Sequence, residues 1–192
     1  MMLSRVRKFN LLVYVVTLIF GLDLAALKLV HAETSNIPNP DALHSKVLEF
    51  NKDYLAGDFR TIFSMFPPRI FGDEAKKHGT TVEFALDLAA KEIGAKFAKQ
   101  VKVFSYVVDD SHPRTVALTN GTNGTLLPSV SVLEILEKNK KVQLKSEVVA
   151  INEAGTWYLV PLAASWAYQG LVSSYPEYKG LKFESSSTEL KD

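Results

Sequence analysis

Histidines, carboxylates and phenols are the side chains of this sequence able to ligate a metal or move a proton. His44, His78 and His112 lie in three separate segments, without His-x-x-x-His or His-x-x-Glu spacing. A metal site would need ligands converging by folding alone, so solvated histidines account better for the pattern. Asp109 or Asp110 with Tyr106 has the makings of a base and a phenolic donor for proton transfer in an apolar cavity. The run Asp109-Asp110-Ser111-His112-Pro113 reads instead as a turn, because aspartates there bond to their own backbone. No nucleophile elbow, phosphate loop or dinucleotide fingerprint occurs, and the chain has no cysteine. The expectation is of no catalytic residues, no metal and no cofactor.

The 192 residues are 47% apolar and 22% charged, as in an ordinary globular chain. Basic and acidic residues nearly balance at 22 and 21, which argues against a nucleic-acid partner. Residues 1–32 stand apart. Arg5, Arg7 and Lys8 precede the apolar run Leu11–Leu22, and Val30-His31-Ala32 carries the small residues a signal peptidase reads. This order is that of a secretory signal peptide cut near Ala32, with Ala26 as an earlier alternative. The run has 12 residues, against roughly 20 for a membrane span. The expected product is exported, periplasmic or extracellular, without a membrane anchor after cleavage. It keeps 160 residues with 18 basic and 20 acidic side chains, a net charge of −2. Without cysteine it has neither disulfides nor a lipid-bearing thiol, and its core alone must hold it.

The elements that must position any site follow from periodicity. Residues 33–40 are polar and read as a linker. Asp41 suits a helix N-cap, followed by Leu43, Val47, Phe50 and Tyr54 on one stripe up to Gly57. Asp58 caps a second helix that Pro67-Pro68 stops. Residues 69–79 read as a loop or short strand. Thr80–Glu83 matches a capping box, and Val82, Leu86, Ala89, Ile93 and Phe97 form the expected buried stripe of a third helix. From Val101 the period becomes alternating. Strands are expected at 101–108, 115–119, 129–137, 142–152 and 156–162, with a turn at Asn120–Thr125 and a hairpin tip at Lys138–Lys141. Asn120 and Asn123 each head a glycosylation acceptor triplet, read here as turn residues. Residues 165–174 read as a short closing helix and 184–192 as a frayed tail. The expected class is α+β: three N-terminal helices packed on an antiparallel sheet of four to five strands, then a short helix.

Two motifs carry a resemblance. Tyr54-Leu55-Ala56-Gly57-Asp58 is similar to the aromatic-x-x-Gly-Asp helix junction of nuclear-transport-factor-two-like proteins. Gly155-Thr156-Trp157-Tyr158 resembles that family's Gly-x-Trp approach to its last strand. Residues 41–183 then form the family-like domain. The resemblance implies a cone: a curved sheet around helices, with a cavity between them. It also implies dimerisation through the sheet. Family members include isomerases, dehydratases, small-ligand binders and protein-interaction modules, so the fold leaves function open. In such a cone Tyr54, Phe63, Tyr106 and Trp157 are the ligand-binding candidates, the tyrosines and tryptophan because each has a polar handle. The first expectation is an exported, non-enzymatic binding module for a small apolar ligand or a protein partner. A periplasmic immunity protein against a toxic enzyme is the second, and an isomerase- or dehydratase-like enzyme the third.

Overall fold

Pro40 fixes a helical φ at the first position of helix α1 (Pro40–Ala56), and Asn39 caps it by accepting from the Ala42 N–H. The cap therefore falls two residues before Asp41, which sits in the first turn. These facts come from a computed structural model that describes residues 37–190. The expected signal peptide and the first half of the expected linker, residues 33–36, lie outside the described residues. Gly57 ends α1 at φ 70°, a left-handed conformation that glycine takes at low cost. Asp58 then caps α2 (Phe59–Ser64) through the Thr61 N–H at 3.1 Å.

The segment expected as loop or strand is a helix, α3 (Pro68–Lys77). Pro68 both follows α2 and occupies the first turn of α3, where its missing N–H costs nothing. Ile70, Phe71 and Ala75 give it a short buried face that Gly72 and the charged residues between them disguise. Four helices thus precede the sheet, where three were expected. The fourth, α4 (Val82–Gln100), is capped by Thr81 and lies on α2 and α3. Of its expected stripe only Leu86 is buried; Ala89, Ile93 and Phe97 are half-buried, and Val82 and Phe84 are exposed. A long helix laid over other helices buries one narrow line. Gly94 permits that approach: a Cβ there would sit 3.0 Å from the Phe59 ring.

The sheet is antiparallel and curled, with six strands. They are β1 (Val101–Val108), β2 (Arg114–Ala117), β3 (Asn123–Ile135), β4 (Lys140–Glu153), β5 (Thr156–Pro161) and β6 (Ser186–Glu189). Its spine is the β3–β4 hairpin, paired from Thr125–Ala150 to Ile135–Lys140. The Asn-Gly-rich segment expected as a turn belongs partly to β3, which starts at Asn123 and pairs with β2. β1 and β2 lie end to end along one side of β3, and β5 and β6 along the free side of β4. Asp109–Pro113 bulges out between β1 and β2, opposite Pro128. Pro128 has no N–H to offer there, and only its carbonyl is used, by the Asp109 N–H at 2.8 Å. The segment expected to fray includes β6, which pairs with Val142–Lys145 of β4. Its serines gave no hydrophobic alternation to read.

Register sorts the strand residues onto two faces. The inner face carries Tyr106, Val108, Leu127, Ser129, Ser131, Ser146, Val148 and Leu159, and α1 packs on it through Phe50 and Tyr54. The outer face carries Arg114, Leu126, Glu147, Val149 and Val160. After β5, helix α5 (Ser165–Ser174) forms as the sequence indicates and packs against α3 and β5. The chain then crosses the outer face as a strap. Its 3₁₀ turn Pro176–Tyr178 buries Tyr178, and Thr119 N–H donates to the Glu177 carbonyl at 3.1 Å. Residues 146–151 of β4 are therefore buried on both faces.

Glu147, 4% exposed, clasps the strap. Arg114 donates to both its oxygens, at 2.9 and 2.7 Å, and the Glu184 N–H donates at 2.7 Å. Arg114 also reaches the Lys182 carbonyl at 3.2 Å. Removing Arg114 leaves a buried carboxylate short of partners, which is far costlier than losing a surface pair. Arg114→Ala is expected to destabilise the fold by about 3 kcal/mol in urea denaturation. Lys46→Ala, which breaks an exposed pair with Glu49, is expected to cost less than about 0.5 kcal/mol.

Candidate functional site

Three of the four candidate residues meet in one row of rings. Tyr106 on β1 stacks on Tyr54 of α1, with centroids 3.8 Å apart and planes 14° apart. Phe97 of α4 meets Tyr54 edge-on at 6.0 Å, and Phe59 meets Phe97 at 5.1 Å. Phe63 continues the row from Phe59 at 5.9 Å and ends against Trp166 of α5 at 5.1 Å. The four contacts beyond the Tyr54–Tyr106 stack are edge-on, an arrangement that aromatic quadrupoles favour. The fourth candidate, Trp157, stands apart. It is buried in β5, and its indole N–H donates to the Pro38 carbonyl at 3.2 Å. Its polar handle fastens the start of α1 to the sheet.

Below Tyr54 the inner face is polar in one place. Tyr106 pairs across with Ser131, and the next inward pair along the ladder is Ser129 with Ser146. All four residues are buried. Tyr106 Oη and Ser146 Oγ have no hydrogen-bond partner among the described residues. A buried hydroxyl without a partner is costly, so such a pair marks a place for a water or a ligand's polar end. Burial pushes the Tyr106 phenol well above its ordinary 10 and Tyr54 adds to the rise, while the nearby Ser129 hydroxyl, short of a well-formed hydrogen bond, opposes it weakly. Burial likewise raises Tyr54 to about 12. Both phenols stay neutral at physiological pH and can act as donors. The alternating Ser129-Val130-Ser131 within an apolar strand was the sequence signal for this patch.

Acid–base chemistry needs a carboxylate beside those donors. Glu147 is the buried carboxylate among the described residues, and it lies on the opposite face within the Arg114 clasp. Asp109 and Asp110 stay in the bulge. Asp109 accepts from Ser111 and pairs with His112 at 2.8 Å; the Ser111 hydroxyl and then His112 hold its carboxyl below the usual range. Asp110 pairs with His44 of α1 at 2.9 Å. His44 thus reaches the bulge from α1, while His112 pairs within it. Among the described residues no three His, Cys, Asp or Glu side chains are grouped to hold a metal.

Two surface features complete the inventory. A shallow open groove of about 530 Å³ runs between the α1–α2 junction and α4, past Asp58, Phe59, Arg60, Asp87 and Lys91. Arg60 crosses it to Glu83 at 2.7 Å and to Asp87, so its charges are largely matched within the chain. On the outer face, beyond the strap, Phe104, Val107 and Val130 are 45%, 54% and 36% exposed. A register shift between Val103 and Ser105 turns Phe104 outward, where Lys102 and Lys141 approach its ring at 5.0 and 5.7 Å. Among the described residues no helix is long and apolar enough to cross a membrane. A scan against protein-family models and searches of curated proteins and solved structures find no match to this chain.

The tyrosines supply a direct check. Burial also raises Tyr178 to about 12, and burial with the Glu153 carboxylate raises Tyr175 further. All four phenols are held neutral in the fold but ionise near 10 once exposed, so their contribution is intact below pH 10 and falls as pH rises toward the folded values. Alkaline titration followed by phenolate absorbance is expected to show Tyr54, Tyr106, Tyr175 and Tyr178 ionising only together with loss of near-ultraviolet circular dichroism.

Proposed function

We propose that the mature chain is an exported, non-enzymatic binding module of the nuclear-transport-factor-two-like kind, and that it binds a protein partner on the outer face of its sheet. The observation that carries this reading is the uncovered half of that face. The strap buries Leu126 and Val149 but stops short of Phe104, Val107 and Val130, which form an apolar strip with half-buried Val132 between them. Such strips mark interaction sites more often than chance exposure. Lys102 and Lys145 share the face with Glu134 and with Glu147, whose carboxylate is already taken up by Arg114. Self-pairing through this strip would set lysines against lysines, so an acidic partner suits it better than a second copy. An immunity protein covering a toxic enzyme is one form of this reading. Export rests on the leader, and family membership on the two motifs and the curled sheet.

A second reading has its own support. The unpartnered Tyr106 Oη and Ser146 Oγ suit the polar end of a small apolar ligand held under Tyr54. The isomerase or dehydratase reading draws no such support, because among the described residues the inner face offers donors and no buried carboxylate.

Each reading has a test. In affinity purification from the secreted fraction, Phe104→Ser/Val107→Ser is expected to lose a partner that the natural chain retains, and to weaken the reconstituted pair at least tenfold, about 1.4 kcal/mol. Both residues are exposed, so the double variant should keep its thermal midpoint. An unchanged partner set overturns the protein reading. Tyr106→Phe deletes the orphan hydroxyl. Without a ligand or water on that hydroxyl, stability should be unchanged or rise by about 1 kcal/mol. A loss of that size instead, with a small molecule seen in native mass spectrometry of the natural chain alone, supports the ligand reading.

A further inference from the structure

β4 outlasts β5. Pro161 pairs with Val148, and the Leu162 N–H closes the ladder on the Glu147 carbonyl at 2.9 Å. The next stretch of that edge, Val142–Lys145, is covered by β6. The strand brings no buried side chain, since Ser186, Ser187, Thr188 and Glu189 are all exposed. Leu190 N–H donates to the Lys141 carbonyl at 2.9 Å. Alternation then makes Thr188–Gln143 and Ser186–Lys145 the hydrogen-bonded pairs. The exposed ion pair Lys140–Glu189 at 2.8 Å joins them, and such pairs hold weakly. Upstream the strap is fixed at Glu184 by the buried Glu147. The clasp therefore secures the chain as far as Glu184 and leaves β6 beyond it, held by its ladder and Leu190.

We propose that the Val142–Lys145 edge of β4 is a strand-addition slot, that β6 is its removable occupant, and that the incoming strand is an extended acidic–apolar segment of a protein partner. This deepens the protein-binding reading above and rests on it. Main-chain bonds supply affinity in such additions, and alternate side chains supply specificity. The slot's two faces state the preference. On the outer face, the positions of Ser186 and Thr188 lie beside Lys145 and Gln143, with the Phe104–Val107–Val130 strip beyond. Carboxylates fit there. On the inner face, the position of Ser187 lies beside half-buried Leu144, with Leu133 and Val142 near it on the ladder. An apolar residue fits there. The chain's own Ser-Ser-Thr matches neither preference, so it fills the edge without saturating it. This also gives the edge a cover while no partner is present.

The test uses the full chain and a fluorescent peptide of residues 183–190 carrying Ser186→Glu, Ser187→Val and Thr188→Glu. The expected result is binding at least tenfold tighter than the unsubstituted peptide, with loss of amide protection in β6 and retained protection at Gln143. Thr188→Pro in the protein deletes the central N–H of the cis ladder and is expected to raise peptide affinity about fivefold. Lys145→Glu is expected to lower it about fivefold with an unchanged thermal midpoint. The slot is overturned if Thr188→Pro leaves peptide affinity unchanged, if both peptides bind alike, or if the peptide leaves β6 protected. It is also overturned if concentration-dependent dimers exclude the peptide, which assigns the edge to a second copy. Failure of the wider reading looks different. A partner lost by Phe104→Ser/Val107→Ser but unaffected by Thr188→Pro removes the slot and keeps the face. A partner unaffected by either variant removes both.

Discussion

The β3–β4 ladder is the constraint on which the other elements depend. It pairs residues from Thr125–Ala150 to Ile135–Lys140 without interruption, and every other strand borders one of its two members. Because both strands are long, each has room for two short neighbours, and the sheet curls around α1. A ladder buried on both faces toward its Thr125–Ala150 end must find two covers. Helix α1 supplies the inner one. The outer one arrives last in sequence, as the strap after α5, and reaches only half of the available face. The exposed strip at Phe104, Val107 and Val130 is what remains.

Sequence reasoning reached the elements whose burial pattern is periodic over several turns or alternations. α1, α2, α5, β1, β4 and β5 fall where spacing places them. α3 was hidden because its buried residues number three and are interleaved with Gly72 and charged side chains. The start of β3 was hidden by two Asn-Gly pairs, whose turn preference lost to pairing with β2. β6 had no pattern to read, since a strand with neither face buried shows none. α4 is a helix as its period predicts, with its stripe fully buried at Leu86 alone, because period reports which residues share a face and not what covers it.

The candidate site shows the same division. Tyr54 and Phe63 were legible as helix residues, and Tyr106 and Trp157 as strand residues. Their meeting was not legible, since stacking of Tyr106 on Tyr54 depends on where α1 crosses the sheet. Trp157 shared the residue type and burial expected of a site, yet its indole serves the Pro38 carbonyl. The Arg114–Glu147 clasp joins residues 33 positions apart, on strands β2 and β4 that flank β3 from opposite sides, so their approach across it appears only once the register of β3 is known. Local pattern carries composition and periodicity, while convergence of polar groups is a property of topology.

The bulge at Asp109–Pro113 has one more consequence. It splits the outer edge of the sheet into β1 and β2, leaving runs of 8 and 4 residues where a continuous edge would have been longer. Two aspartates stand in the gap, each tied to a histidine. A foreign β-chain growing along that edge would meet a break in its hydrogen bonding and two carboxylates at the break. A cysteine-free chain has no covalent bridge against opening, and this interruption is a barrier to fibrillar self-stacking when its edges are bare.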